Sequence, residues 1–241
     1  MTQVCVIFGA GEYYAGTPVV PAGAYVIAAD DGLDHTRQLG IVPDVVVGDF
    51  DSLEGRPPRT DVRTIALPAL KDDPDMLSAL KVGWSAGCRE FHVYGGLGGR
   101  IDHTISGIQL MALLARHGAS GYLYGDGLIV TAITDGRLSF PAHPVPEDGR
   151  MVSAFSHSDV SLGVNEPGLK YELKDGTLTN TVVQGVSNEF RDGVDAAISV
   201  EHGTLIVTFP IEVALPQVSR FHEFGGDIGE LDTAVSKLLV R

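Results

Sequence analysis

The sequence predicts a protein of two parts, in which an α/β domain with a mainly parallel sheet precedes an all-β domain. In the first half, short apolar segments alternate with helical patterns, which is typical of strand-helix-strand units. After about residue 130, short strand-like segments are separated by Gly, Pro and Asp-Gly turns, with few helical periods. The length of 241 residues fits one large or two modest domains, since a domain averages about 150 residues.

Six apolar segments of the first half are predicted as strands that are covered on both faces. They comprise residues 4–8, 25–29, 45–47, 62–67, 91–94 and 122–124. One helix is predicted to begin with Asp73 as its cap and Pro74 as its first residue, a position where the missing N–H costs nothing. A second helix is predicted from about residue 103 to residue 116, with Gly118 just beyond its end.

Two hairpins are predicted in the second half. Residues 169–173 and 178–183 flank the turn at 174–177, and residues 197–200 and 205–209 flank the turn at 201–204. We place the domain boundary near Thr134-Asp135-Gly136, which divides the chain into residues 1–134, residues 135–210 and a C-terminal tail of residues 211–241. Residues 231–239 of this tail have the pattern of an amphipathic helix, to which the sequence assigns no role.

Acidic residues outnumber basic ones, and the formal net charge is −14. No basic patch is present, which argues against a nucleic-acid backbone or an anionic membrane as the main partner and favours a cationic or metal-chelated ligand. The amino terminus lacks the positive region of a signal peptide, and no apolar segment reaches about eighteen residues. Cys5 and Cys88 are far apart, so we expect two reduced thiols in a cytoplasmic protein.

Acidic residues of the first half gather after predicted strands, at the edge where open α/β sheets bind ligands. The four segments are Asp30-Asp31-Gly32, Gly48-Asp49-Phe50-Asp51-Ser52, Lys71-Asp72-Asp73-Pro74-Asp75, and the stretch from Gly95 to His103. Asp49 and Asp51 would point the same way in an extended chain while Phe50 faces the core. Paired carboxylates of this kind suit Mg²⁺, although a single Asp-x-Asp is also common in turns where Asp caps backbone groups.

The stretch from Gly95 to Gly99 contains four glycines between a strand and a helix. Its backbone N–H groups could approach phosphate oxygens, and Arg100 adds a forked donor. The pattern is neither a P-loop nor a dinucleotide fingerprint after the first strand, and a plain strand-to-helix turn with Asp102 as cap is the alternative. Simple helix capping is likewise the alternative for the segment 71–75. The histidines show no zinc spacing, and no serine-hydrolase elbow is present.

In this order and spacing, the motifs resemble those of the thiamine pyrophosphokinase family, which transfers a diphosphoryl group from ATP to thiamine. The resemblance extends over most of residues 4–209. It rests on Ala29-Asp30-x-Gly32, Gly48-Asp49-Phe50-Asp51-Ser52, Lys71-Asp72-x-x-Asp75, Gly95-Gly96-x-Gly98-Gly99-Arg100-x-Asp102-His103, Gly168-Leu169-Lys170-Tyr171 and Ser187-Asn188. It implies a three-layer α/β domain that binds ATP, an antiparallel β-sandwich domain that binds thiamine, and a homodimer in which thiamine lies between the first domain of one subunit and the second of the other.

The resemblance also implies roles for individual residues. Residues expected to hold Mg²⁺ are Asp30, Asp49, Asp51 and Asp75. Residues expected to act in catalysis are Asp49, Asp51, Asp75, Arg100 and Asp102, with Asp51 or Asp102 as the acceptor of the hydroxyl proton. Residues expected to bind ATP are Asp30, Ser52, Asp72, Gly98, Gly99, Arg100 and His103. Residues expected to bind thiamine are Tyr171, Ser187 and Asn188.

Three positions depart from the family pattern. Tyr171 stands where relatives often have Trp, Asp31 where Gly is usual, and Pro74 where Thr is usual. Pro74 removes a hydroxyl and an N–H that could contact a phosphate. Two alternatives therefore stay open: a diphosphokinase for another hydroxymethyl heterocycle such as a pterin, and a nucleotide or thiamine sensor that binds Mg·ATP without transfer. A purely structural role does not explain four acidic segments at strand ends.

Overall fold

The computed structural model describes residues 3–14, 16, 18–50, 61–146 and 150–236. The chain forms two compact units, Met1–Gly107 with Asp227–Arg241, and Ile108–Gly226. These units divide the chain at different points from the boundaries near residues 134 and 210 that the turn patterns predict. Residue 134 lies inside a continuous strand, β7 (Leu128–Phe140).

The first unit contains a parallel sheet. Its strands are β1 (Gln3–Phe8), β2 (Tyr25–Ala29), β3 (Val45–Gly48), β4 (Arg63–Ala66) and β5 (Cys88–Tyr94), in the order β5-β1-β2-β3-β4. In the register, Ile7 of β1 pairs with Ile27 of β2 and with Val93 of β5. Five predicted strands and their parallel pairing are thus confirmed. Burial on both faces explains the apolar sequence of β1, since residues from Cys5 to Phe8 have no exposed surface. The strand β4 is not covered on both faces as predicted, since Arg63 and Ala66 are exposed.

Three helices are found among the described residues: α1 (Gly32–Gln38), α2 (Asp75–Ser85) and α3 (Ile101–Arg116). The sequence analysis missed α1, which is only seven residues long. It also placed the start of α2 one residue too early, because Pro74 has extended backbone and is the cap itself. Asp73 instead forms an ion pair with Lys81, with 2.5 Å between Oδ2 and Nζ. No helix in the described ranges combines the length and apolar character needed to cross a membrane.

The second unit is built from antiparallel strands. They are β6 (Ser120–Gly125), β7, β8 (Met151–Ser156), β9 (Val160–Val164), β10 (Gly176–Thr179), β11 (Asn188–Glu189), β12 (Ala196–Pro210) and β13 (Gln217–Arg220). The long strand β12 pairs with β7, β8 and β9. The sixth predicted strand of the first half is β6, which pairs antiparallel with β7. Antiparallel pairing is therefore as expected, while a β-sandwich arrangement stays a prediction.

Both predicted hairpins are wrong. Residues 197–209 belong to the single strand β12, in which the Glu201-His202-Gly203 segment is an irregularity between Val200 and Thr204 rather than a chain reversal. Residues 169–173 are not a strand, and β10 pairs with β9 instead. In both places the local Gly-containing turn pattern coincides with irregular backbone, but it could not identify the partner strand, which is β7 for β12 and β9 for β10.

The C-terminal tail is not the predicted helix over residues 231–236, and residues 237–239 lie outside the described part. Its early part forms β13, which adds to β7. Its later part belongs to the first unit, where Ile228 is buried and the Ser236 N–H donates to the Leu70 carbonyl oxygen over 2.8 Å. The later part of the tail is therefore held by tertiary contacts rather than by helical hydrogen bonds.

Gly32 allows α1 to begin directly against the end of β1. A Cβ atom at this position would lie 2.0 Å from the Phe8 carbonyl oxygen, which is backbone and cannot move aside. A matched control exists at Gly225, where a Cβ atom would meet nothing within 4 Å.

We predict that Gly32→Ala lowers the free energy of unfolding by about 3 kcal/mol, because the overpacked contact forces α1 away from β1. A thermal melt should show a decrease in Tm of about 6 °C or more. Gly225→Ala should change Tm by about 1 °C or less. Equal melting temperatures for the two variants would contradict the close contact.

Candidate active site

Three carboxylates of the first unit lie at the ends of neighbouring elements. Asp30 follows β2, Asp49 follows β3, and Asp75 is the first residue of α2. The Asp30 N–H donates to the Val47 carbonyl oxygen over 2.8 Å, which ties the ends of β2 and β3 together. Gly48 provides the space, since a Cβ atom there would lie 3.2 Å from Asp30 Oδ1. The parallel register thus brings together acids that are up to 45 residues apart in sequence.

Lys71 lies between two of these carboxylates. Its Nζ is 2.5 Å from Asp49 Oδ2 and 3.2 Å from Asp75 Oδ1, and its side chain is only 8% exposed. Burial opposes the charged amine, but the hydrogen bond to Asp49 and the charge of Asp75 outweigh it and raise the pKa of Lys71. The sequence analysis quoted Lys71 within a motif but assigned it no role. Its position four residues before Asp75 was the available signal.

Asp30 is a carboxylate of this site that the protein leaves partly unsatisfied. Its Oδ1 is buried and has no hydrogen-bond partner. Burial raises the pKa of Asp30 from 3.8 to about 6, and the charges of Asp31, Asp75 and Asp49 add to this increase. Burial also raises the pKa of Asp75, against the opposing charge of Lys71. Such a cluster is stabilised by any cation that reaches Asp30.

The donor set fits Mg²⁺, which prefers hard carboxylate oxygens and the oxygens of substrate phosphates. Among the described residues, no group of three or more His, Cys, Asp or Glu side chains is arranged as a metal site. Lys71 lies between Asp49 and Asp75, and the predicted ligand Asp51 lies outside the described part of the chain. The unpartnered oxygen of Asp30 is the observation that favours a cation here.

The glycine-rich turn has the backbone that its sequence predicts. Gly95, Gly98 and Gly99 all have positive φ angles of 71°, 91° and 63°, which favour glycine. However, the Gly98 N–H already donates to Thr104 Oγ1 over 3.0 Å, so a phosphate could use it only by displacing Thr104. The turn is therefore closed on the first turn of α3.

Arg100 and Asp102 form an exposed ion pair at the start of α3. Arg100 Nη2 is 2.6 Å from Asp102 Oδ2, and the His103 N–H donates to Asp102 Oδ1 over 3.0 Å. The hydrogen bond from Arg100 is the main cause that lowers the pKa of Asp102 to about 2. Asp102 is therefore a weak proton acceptor while this pair is intact.

A loop after β1 was missed by the sequence analysis. The Gly9 and Gly11 N–H groups donate to the carbonyl oxygens of Tyr94 and Gly95, so the loop runs along the glycine-rich turn. Tyr14 packs on Gly98, where a Cβ atom would lie 1.8 Å from its hydroxyl oxygen. In the same loop, the Tyr13 ring stacks on His35 with 3.8 Å between ring centroids. The signal was the Gly9-x-Gly11 pair at the end of the first strand.

The other predicted ATP-binding residues have different surroundings. Asp72 Oδ1 accepts a hydrogen bond from Ser236 Oγ over 2.5 Å. Ser52 lies outside the described residues. The Ser236 contact means that the tail touches the segment that carries Lys71.

In the second unit, the three predicted thiamine-binding residues lie close together. Tyr171 is 61% exposed, and its N–H donates to Asn188 Oδ1 over 3.0 Å. Ser187 has a positive φ of 60°, and its N–H donates to Ser153 Oγ over 3.1 Å. Asn188 is only 6% exposed, so its side chain lies in the interior of the second unit.

We predict that Asp30→Asn stabilises the protein without metal at pH 8. The raised pKa means that ionised Asp30 destabilises the folded state, an effect that is absent below pH 3.8 and complete above about pH 6. Solvent screening of this half-buried group limits the effect to about 1 kcal/mol, or about 2–4 °C in Tm. The gain should be smaller at pH 4.5. A control variant, Asp34→Asn, changes an exposed acid on α1 and should leave Tm unchanged at both pH values; a loss of stability in Asp30→Asn at pH 8 would contradict the assignment.

Comparisons with known proteins agree with the motifs. Residues 19–123 match the model of the thiamin pyrophosphokinase catalytic domain. The fold is similar to that of a thiamine pyrophosphokinase from Bacillus subtilis, with a TM-score of 0.70, 22% identity, and coverage of 88% of this chain and 100% of that chain. The enzyme from Geobacillus thermodenitrificans gives a TM-score of 0.70 at 21% identity, with 88% and 100% coverage. The enzyme from Candida albicans gives 0.68 at 12% identity, with 88% and 90% coverage.

No curated protein sequence matches this chain significantly. At the identities found, the solved structures establish a common fold, and the catalytic-domain model contributes the sequence evidence. The resemblance to the thiamine pyrophosphokinase family is confirmed by the match of residues 19–123 to the family's catalytic domain and by a fold shared with its solved structures.

Proposed function

We propose that this protein is a thiamine pyrophosphokinase, which transfers the diphosphoryl group of Mg·ATP to the hydroxyl of thiamine and yields thiamine diphosphate and AMP. The observation that carries the proposal is the group of Asp30, Asp49 and Asp75, two of which, Asp49 and Asp75, pair with Lys71. All four residues lie within the segment that matches the catalytic-domain model. A cluster of buried like charges costs stability, and this cost is explained if the cluster binds a cationic cofactor and a phosphate chain.

Asp30, Asp49 and Asp75 would hold Mg²⁺, together with Asp51. When bound, the ion would neutralise charge on the phosphates of ATP. Lys71 is suited to a second task, because a buried amine with a raised pKa stays charged and can bind a phosphate oxygen once the carboxylates have another cation. Arg100, exposed beside the glycine-rich turn, is a forked donor for the same chain of phosphates.

The reaction then consists of positioning and charge neutralisation. The thiamine hydroxyl oxygen attacks the β-phosphorus of ATP, a new O–P bond forms, and the bond between the β-phosphorus and the bridging oxygen of AMP breaks. The hydroxyl proton passes to a carboxylate. Of the two candidates, Asp51 is the better acceptor, since the ion pair with Arg100 lowers the pKa of Asp102.

Thiamine would bind through the exposed ring of Tyr171 and the turn at Ser187. By resemblance, we propose a cytoplasmic homodimer in which the second unit of one subunit completes the site of the other. The acidic net charge is compatible with the cationic thiazolium ring of thiamine.

We predict that Asp49→Asn lowers kcat for thiamine-dependent AMP release by about 100-fold or more, because the site loses a metal-holding charge and the main partner of Lys71. The assay uses purified protein, ATP, Mg²⁺ and thiamine, with the mass of the product measured and a reaction without thiamine as blank. Asp34→Asn, which removes an exposed acid paired with Arg37, should keep kcat within about twofold. Tm values of both variants verify that they are folded.

Each alternative function has its own result in this assay. AMP release with a hydroxymethyl pterin but not with thiamine would show that the acceptor substrate is a pterin. ATP-dependent stabilisation without AMP from any acceptor would indicate a sensor. Wild-type turnover in Asp49→Asn would refute the proposed role of Asp30, Asp49 and Asp75 in holding Mg²⁺.

A further inference from the structure

Asn188 is a crosslink inside the second unit. Its Oδ1 accepts from the N–H groups of Tyr171 and Glu189, over 3.0 Å and 2.9 Å. Its Nδ2 donates to the Tyr171 carbonyl oxygen over 2.8 Å and to Glu166 Oε2 over 2.9 Å. These four bonds use both acceptor sites and both donors of the amide. Asn188 therefore has no hydrogen-bonding capacity left for a ligand and acts on Tyr171 instead.

Glu166 is the buried partner of this amide. Its side chain is only 4% exposed, and its Oε1 is buried with no hydrogen-bond partner. Burial raises the pKa of Glu166, and the bond from Asn188 opposes that change. The Glu166 N–H also donates to the Leu173 carbonyl oxygen over 2.9 Å, which joins the two ends of the loop that carries Tyr171. A buried carboxylate with one unpartnered oxygen costs stability, so packing alone does not explain Glu166.

A carboxylate at this position fixes which way the Asn188 amide faces. A carboxylate oxygen accepts but does not donate, so it attracts the amide NH₂ and repels the amide oxygen. With the NH₂ toward Glu166, the amide oxygen must face the N–H groups of Tyr171 and Glu189. The reversed amide would place two oxygens together and leave both N–H groups without an acceptor, which is costly for buried groups.

Tyr171 depends on this arrangement because its ring has little packing. The ring is largely exposed, with the Lys170 amine 5.3 Å from its centroid. Its orientation is therefore set mainly by the backbone at Tyr171, both polar groups of which bond to Asn188.

We propose that Glu166 is a positioning residue for thiamine: through Asn188 it fixes the backbone of Tyr171, so that the exposed ring is presented in one orientation to the thiamine ring system. This inference rests on the proposed function and deepens it. Glu166 does not touch the substrate, so it should affect thiamine binding and leave ATP binding alone.

The test compares Glu166→Leu, which removes the acceptor at similar size, with Glu166→Gln, which keeps a carbonyl acceptor for Asn188. Glu166→Leu should raise KM for thiamine about tenfold, with kcat and KM for ATP within about twofold of wild type. Glu166→Gln should restore KM for thiamine to within about threefold. Glu172→Leu is the matched control in the same loop: it removes the exposed bond from the Gly168 N–H and should not change KM for thiamine.

Hydrogen exchange gives a second readout that does not depend on activity. The amides of Tyr171 and Glu189 should exchange slowly in wild type and about tenfold faster in Glu166→Leu, while Glu166→Gln preserves their protection. Unprotected Tyr171 and Glu189 amides in wild type would overturn the proposal even if Glu166→Leu fails to fold. An unchanged KM for thiamine in folded Glu166→Leu, or an equal rise in KM for ATP, would also overturn it.

Tyr171→Ala separates this inference from the proposed function. If Tyr171→Ala raises KM for thiamine and Glu166→Leu does not, only the role of Glu166 is refuted. If Tyr171→Ala leaves KM for thiamine unchanged, the assignment of Tyr171 to the thiamine site is refuted. The positioning role of Glu166 is then refuted as well. No thiamine-dependent AMP release from wild type would refute both.

Discussion

The ion pairs of Lys71 with Asp49 and Asp75 are the interaction on which the candidate site depends. Three carboxylates lie at adjoining strand and helix ends. The buried Lys71 amine pairs with two of them, Asp49 and Asp75, whose charges still raise the pKa of Asp30. Placing that amine requires order in the segment before α2, where Ser236 bonds to Leu70 and Asp72. The contacts of the tail thus help to keep the Lys71 amine in place. A hydrophobic core alone would not retain such a buried charge.

Close backbone approach is the second condition for this cluster. Gly48 leaves room for Asp30, Gly32 lets α1 begin against Phe8, and Gly98 accommodates Tyr14. Each glycine removes a side chain from the edge where parallel strands end, so backbone and functional groups fill that edge instead. These glycines and clustered acids lower the stability of the folded protein. Such a loss is consistent with a site that has been selected for ligand binding rather than for stability.

Sequence reasoning performed best where local and tertiary requirements agree. The strands β1, β2, β3 and β5 of the first unit are largely buried, so their apolar segments were recognisable without knowledge of neighbours. It failed at β12, where the Glu201-His202-Gly203 segment has the composition of a turn but continues along β7 as one strand. It also could not foresee the internal role of Asn188, whose side chain makes four hydrogen bonds within the second unit.

The sequence by itself determined the parallel α/β part, the acidic character of its strand ends and the family resemblance, because these depend on residue type and on spacing along the chain. Only the tertiary structure decided that Lys71 joins Asp49 to Asp75, that Glu166 reaches Asn188, and that the tail returns to Leu70. These contacts join residues that lie 4 to 166 positions apart. Burial and strand register bring these residues together, and neither can be predicted from the local sequence of a single segment.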